Sequence, residues 1–105
     1  MRLDGKTAFV TGGARGIGKS VAAALCEAGS NVAVVDVDYQ EAEKTASELQ
    51  TLGTGVIAVS CDVTDQDQVN QMVRTIVEHF GSLDVAFCNA GICTNYPAEE
   101  MTFEQ

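Results

Sequence analysis

With 105 residues, 46% of them apolar, the chain is sized for one domain around one core, and its composition is not that of a disordered segment. Fifteen acidic against six basic side chains give a net charge of −9 with the Lys and Arg scattered, which argues against nucleic acid or an anionic membrane surface as partner, since both need clustered cations. No apolar run approaches the ~18 residues of a membrane span, and the opening Met1-Arg2-Leu3-Asp4-Gly5-Lys6 does not resemble a signal peptide.

Four short runs rich in Val, Ala, Phe and Ile, at 6–11, 31–36, 55–60 and 84–89, read as strands. The second and third are nearly continuous in apolar residues, which suits strands of a parallel sheet covered on both faces. Between the runs lie three helical patterns. The first places Ile17, Val21, Leu25 and Ala28 on one stripe. The second turns Ala42, Ala46 and Leu49 inward and Glu41, Glu43, Lys44 and Glu48 outward. The third steps through Val69, Met72, Val73, Ile76, Val77 and Phe80.

The punctuation agrees with the periods. Each helix is expected to end on a left-handed glycine, at Gly29, Gly53 and Gly81. Asp38 with Glu41 starts the second helix, and Thr64 with Asp67 starts the third. The order β-α-β-α-β-α-β with right-handed crossovers predicts an α/β parallel sheet with helices on both faces, over a single domain spanning 1–105, with the ligand crevice between the first and fourth strands. Thr102-Phe103-Glu104-Gln105 has the form of one more capping box, so the sequence reads as cut short at the start of a fourth helix.

Cys26, Cys61, Cys88 and Cys93 form no Cys-x-x-Cys pair and His79 is the lone histidine, so no metal site is expected. Cys26 and Cys88 fall at apolar positions of a helix and a strand, where a free cysteine is an inert core residue. A reduced, cytoplasmic setting follows.

The chemistry is expected at the carboxyl ends of the strands. Thr11-Gly12-Gly13-Ala14-Arg15-Gly16-Ile17-Gly18 joins a strand to a helix, where free backbone N–H groups and the helix dipole favour an anion. Gly12 permits a sharp turn, Gly16 leaves no Cβ in the way of a phosphate, and Gly18 lets the helix sit close. The spacing is Gly-x-x-x-Gly-x-Gly, not the commoner Gly-x-Gly-x-x-Gly. Asp36 ends the second strand eighteen residues after Gly18, placed to accept from an adenosine ribose. A carboxylate ~4 Å from a 2′-phosphate is repelled by about 1 kcal/mol per unit charge in water, and by several times that at a partly buried site. NAD is therefore favoured over NADP, although Arg15 could offset some of the repulsion, serve the pyrophosphate or point to solvent. Asp62-Val63 can meet an adenine edge with a carboxylate and a backbone N–H. Asn89-Ala90-Gly91 can lie against a flat ligand or brace neighbouring strands.

These motifs, in this order and register, resemble the short-chain dehydrogenase/reductase family over essentially the whole chain. The resemblance implies a Rossmann-type fold with strand order 3-2-1-4 and NAD(P)-dependent oxidoreduction between a secondary alcohol and a ketone, of polyol or sugar, hydroxysteroid or 3-oxoacyl type. It assigns Gly12, Gly16, Ile17 and Gly18 to the pyrophosphate and nicotinamide side, Asp36 to the ribose, and Asp62 with Val63 to the adenine. Asn89, Ala90 and Gly91 line the adenosine side. Cys88 stands where the family usually has a second asparagine. The family's catalytic serine and its Tyr-x-x-x-Lys are not matched, since Tyr39 is followed four places on by Glu43 and Tyr96 by Glu100. The expectation is the cofactor-binding half of a dehydrogenase, inactive alone, with a homo-oligomeric parent and self-association of the chain through an open sheet edge. The alternatives are a stand-alone, non-catalytic dinucleotide-binding module and a fragment without function.

Overall fold

The computed structural model describes residues 2–88. The elements run β1 (Thr7–Thr11), α1 (Gly16–Glu27), β2 (Asn31–Asp36), α2 (Tyr39–Leu49), a 3-10 turn (Gln50–Leu52), β3 (Val56–Ser60), α3 (Gln66–Phe80) and β4 (Val85–Cys88). All strand pairs are parallel and the order is β3-β2-β1-β4, the expected arrangement. The fourth strand starts one residue later than its apolar run. Asp84 accepts the Thr7 N–H at its Oδ2 (2.9 Å) and so ties the entry of β4 to β1 through its side chain.

The two central strands are buried along nearly their whole length, which explains why β2 lacks polar alternation. Val10, Val32 and Val34 face α1 and α2 with Ala22, Cys26, Ala42, Ala46 and Leu49. Phe9, Ala33 and Val35 face α3 with Val69, Met72, Val73 and Ile76. Fully burying Phe9 or Ile76 removes enough apolar area to contribute about 1.5–3 kcal/mol each. The outer strands are less covered: Ile57, Ala58 and Val59 of β3 and all of β4 are half-buried.

Two expectations need correction. In α1 the buried residues are Gly18, Ala22 and Cys26, one step round from the expected stripe; Val21 and Leu25 flank the contact, and Ile17 is 69% exposed. The helix leaves the glycine loop directly, so its first turn lies on loop backbone, and only a residue without a Cβ fits there. A Cβ at Gly18 would collide with the Gly12 carbonyl. In α3 the cap is Asp65, whose carboxylate accepts from the N–H groups of Asp67 and Gln68. Thr64 is engaged elsewhere: its hydroxyl and its N–H both donate to Asp62 Oδ1, at 2.6 and 3.0 Å.

The remaining signals hold. Asp38 caps α2 by accepting the Glu41 N–H at 3.1 Å. Gly29, at φ +100°, closes α1 with paired bonds, its N–H donating to the Cys26 carbonyl and the Ser30 N–H to that of Leu25. Gly53 and Gly81 are likewise left-handed, although α2 first tightens into the 3-10 turn. Cys26 and Cys61 are buried free thiols, and burial pushes both up from the usual thiol range. Cys88 departs from the expected inert thiol, being disulfide-bonded.

Candidate functional site

Because the strands are parallel, the segments leaving β1, β2 and β3 emerge on the same edge of the sheet. This brings the glycine loop, Asp36 and Asp62-Val63 together at that edge. Asn89, Ala90 and Gly91, the fourth expected segment, lie outside the described residues, as do Tyr96 and residues 102–105.

The loop from Thr11 to Gly18 turns on two left-handed glycines, Gly12 at φ +62° and Gly16 at φ +63°, a region that L side chains rarely adopt. At Gly16 a Cβ would meet nothing within 4 Å, so that face of the loop opens outward. Arg15 is the N-cap residue of α1 in an extended conformation, but no side chain caps the helix and its first turn carries no acid. The other two α-helices among the described residues are each capped by an aspartate and carry an acid in the first turn. A helix start left uncapped beside an open glycine leaves backbone N–H donors and the positive dipole end for an external anion. The residues present therefore fit a phosphate or pyrophosphate group.

The loop is fastened to β2 and α2. The Gly13 N–H donates to the Val35 carbonyl (3.1 Å), and the Ala14 N–H donates to Asp36 Oδ2 (3.3 Å). The second oxygen of Asp36 accepts the Asp38 N–H at 3.1 Å. A carboxylate offers about four acceptor positions, so Asp36 is oriented by two bonds and keeps about two positions open. The Arg15 guanidinium lies against Asp38 (3.2 Å) and Glu41 (3.7 Å). The Arg15 side chain is 65% exposed.

Beyond Asp36 the edge continues without a break, the Cys61 N–H donating to the Asp36 carbonyl at 3.2 Å. Asp62 is exposed, and the two Thr64 bonds, the hydroxyl first, hold its carboxyl below the usual carboxylate range. The Asp62 N–H donates to Gln68 Oε1 at 2.8 Å, so α3 fixes this loop in turn. Val63 is half-buried against the α3-side core.

Three residues of this region carry no sequence motif. Val37, 68% exposed, follows Asp36 at the same edge as Ile17. Gln68 holds the Asp62 loop. Thr45, buried in α2, donates from its hydroxyl to the Ala14 carbonyl at 2.7 Å. A signal for Thr45 did exist, since it is a hydroxyl among Ala42, Ala46 and Leu49 on the inward stripe. Among the described residues no group of His, Cys, Asp and Glu could hold a metal ion, and no helix is long and apolar enough to cross a membrane.

Comparison with known proteins agrees with this geometry. The family model for short chain dehydrogenase matches residues 6–105. The sorbitol dehydrogenase of Cereibacter sphaeroides is 40% identical over 104 residues, 99% of this chain and 40% of that protein. Among solved structures, the hydroxysteroid dehydrogenase from Escherichia coli superposes with a TM-score of 0.82 at 36% identity, covering 86% of this chain and 38% of that one. The Pseudomonas aeruginosa RhlG/NADP active-site complex superposes at 0.78 with 32% identity, covering 86% and 36%. The chain spans 35–40% of the length of the curated relatives it matches. With a family model covering nearly every residue and the expected strand order in place, the chain belongs to the short-chain dehydrogenase/reductase family of NAD(P)-binding Rossmann-fold oxidoreductases.

Proposed function

We propose that this chain is the coenzyme-binding part of an NAD-dependent dehydrogenase that interconverts a secondary alcohol and a ketone. The observation that carries the reading is the uncapped start of α1 beside Gly16, hydrogen-bonded through Ala14 to the carboxylate at the end of β2. The amides of Gly16, Ile17 and Gly18 would hold the pyrophosphate, with Gly12 shaping the turn. Asp36 would accept from the adenosine ribose, and Asp62 and Val63 would meet the adenine. Asn89, Ala90 and Gly91 would line the adenosine side. The bound nicotinamide supplies the hydride donor or acceptor.

NAD is favoured over NADP on charge. Asp38 and Glu41 flank the Arg15 guanidinium and Asp36 stands beside them, accepting the Asp38 N–H, so the surroundings of a 2′-phosphate carry more negative than positive charge. The substrate class is carried by likeness. Two of the relatives are dehydrogenases named for sorbitol and for a hydroxysteroid, both alcohols by name, which supports an alcohol substrate. No Tyr-x-x-x-Lys stands in the 105 residues, so no group here acts as acid–base with a lysine-lowered pKa. Binding without turnover is the expected behaviour of the chain alone.

Fluorescence titration with NADH and NADPH, run beside an assay with sorbitol and NAD, tests this. The expected result is saturable NADH binding at least about tenfold tighter than NADPH, a difference of about 1.4 kcal/mol, and no reduction of NAD. Equal affinities would overturn the cofactor choice, absent binding the coenzyme role, and turnover the reading of the missing acid–base pair.

A further inference from the structure

Ala14 sits in the middle of the glycine loop and is 1% exposed. A buried backbone carbonyl needs a donor, and leaving one unpaired is costly. The Ala14 carbonyl finds its donor thirty-one residues away, in the hydroxyl of Thr45 on α2, at 2.7 Å and itself 1% exposed. The Ala14 N–H donates in the other direction, to Asp36. One loop residue is thus gripped at both its backbone groups by the β2–α2 unit. The Arg15 ion pairs to the same unit lie at the surface, with the Arg15 side chain 65% exposed, where such pairs contribute little.

The residue type is informative. On a helix a threonine hydroxyl commonly turns back to the carbonyl of its own preceding turn. Thr45 instead donates across to another element. Valine would match its shape on a stripe shared with Ala42, Ala46 and Leu49, so the hydroxyl has no packing reason to be there. Being β-branched, the side chain is also stiff, which fixes the direction of the bond.

We infer that Thr45 is a positioning residue for the anion-binding loop, holding the Ala14 carbonyl so that the amides of Gly16, Ile17 and Gly18 that follow are aimed at a pyrophosphate. The ligand named here rests on the dinucleotide reading above. The hydrogen bond itself is present without any ligand, so the two can be tested apart.

The test uses the full chain and the variants Thr45→Val, Thr45→Ser and Thr45→Ala. ADP-ribose and adenosine are titrated by NMR, and backbone amide exchange is followed in the ligand-free chain. Thr45→Val is expected to weaken ADP-ribose about tenfold, as for a lost buried hydrogen bond, while adenosine changes by less than about twofold. Exchange at the loop amides that are hydrogen-bonded in the ligand-free chain, Gly13 to the Val35 carbonyl, Ala14 to Asp36 and Lys19 to the Arg15 carbonyl, is expected to rise about tenfold relative to β1 and β2 amides. Thr45→Ser, which keeps the donor, restores both. Thr45→Ala carries the same expectation as valine should the latter fail to fold. Unchanged ADP-ribose affinity with unchanged loop exchange overturns the inference. Equal weakening of both ligands, or exchange raised evenly across the sheet, overturns it too, since that is general destabilisation. If the unsubstituted chain binds neither ligand, the dinucleotide reading falls, and the exchange of the loop amides alone decides whether Thr45 holds the loop.

Discussion

In the proposed function the cofactor choice falls to Asp36, and its geometry suggests how to isolate that role. Its Oδ2 accepts the Ala14 N–H and its Oδ1 the Asp38 N–H, so removing the side chain would loosen the loop as well as the charge. Asp36→Asn keeps an acceptor and discards the charge. The ratio of NADPH to NADH affinity is expected to rise about tenfold, the size of one unit charge at a partly screened site; a ratio that stays put in fluorescence titration would remove Asp36 from cofactor choice. Asp62 makes a second residue-level prediction, from pH. Its carboxyl is held low by the Thr64 hydroxyl and N–H, so its folded pKa lies below its unfolded one. The stability it contributes is present above the ordinary carboxylate pKa and lost as pH falls through the lowered folded value. Thr64→Ala removes the first of the two bonds, and the Asp62 carboxyl should then titrate closer to the ordinary value in a carbon-detected NMR titration.

At the scale of the element, α1 is placed by smallness. Gly18 and Ala22 face inward because the helix follows the loop without a spacer, and a Cβ at Gly18 would drive into the Gly12 carbonyl. Gly18→Ala is therefore expected to displace α1 or the loop, lowering the melting temperature and abolishing coenzyme binding. Gly53→Ala is the control, since its left-handed φ of +96° meets open space and the change should cost about 1 kcal/mol with binding intact. Comparable binding loss in both variants would show that close approach at Gly18 is not what matters. The other two helices start on carboxylates, and Asp38→Ala should cost about 1 kcal/mol through the lost cap. Its ion pair with Arg15 adds little, both side chains being largely exposed.

On the scale of the whole molecule, the sheet is well covered at its centre and poorly at its margins. β4 pairs with β1 on one side, and among the described residues no strand pairs with its other side; all four of its residues are half-buried. β3 forms the opposite edge, where the Gln50 side chain blunts it by donating to the Val56 carbonyl at 2.9 Å. An apolar strand edge recruits another strand. The chain is expected to self-associate with rising concentration in sedimentation velocity runs, and Val85→Lys to shift it toward monomer. A monodisperse monomer over a hundredfold range, roughly micromolar to sub-millimolar, would overturn this.

What the sequence determined by itself is local and repetitive. The order of elements, the capping role of Asp38 and the glycine stops depend on neighbours a few residues away. The glycine loop and Asp36 were legible for the same reason, as spacing within one β-α-β unit. Tertiary structure decided the rest, because it depends on which atoms meet across long separations. Helical periodicity places Ile17 on the inward stripe, yet the closeness of the loop turns Gly18 inward and leaves Ile17 outside. Thr64 and Asp65 are both good caps, and the choice fell to Asp65 because Thr64 is held by Asp62. Thr45 meets Ala14 across thirty-one residues, and no spacing rule links a helix hydroxyl to a loop carbonyl. Such a contact is fixed only when the sheet brings the two elements together, since a buried polar group must then take whichever partner packing leaves beside it.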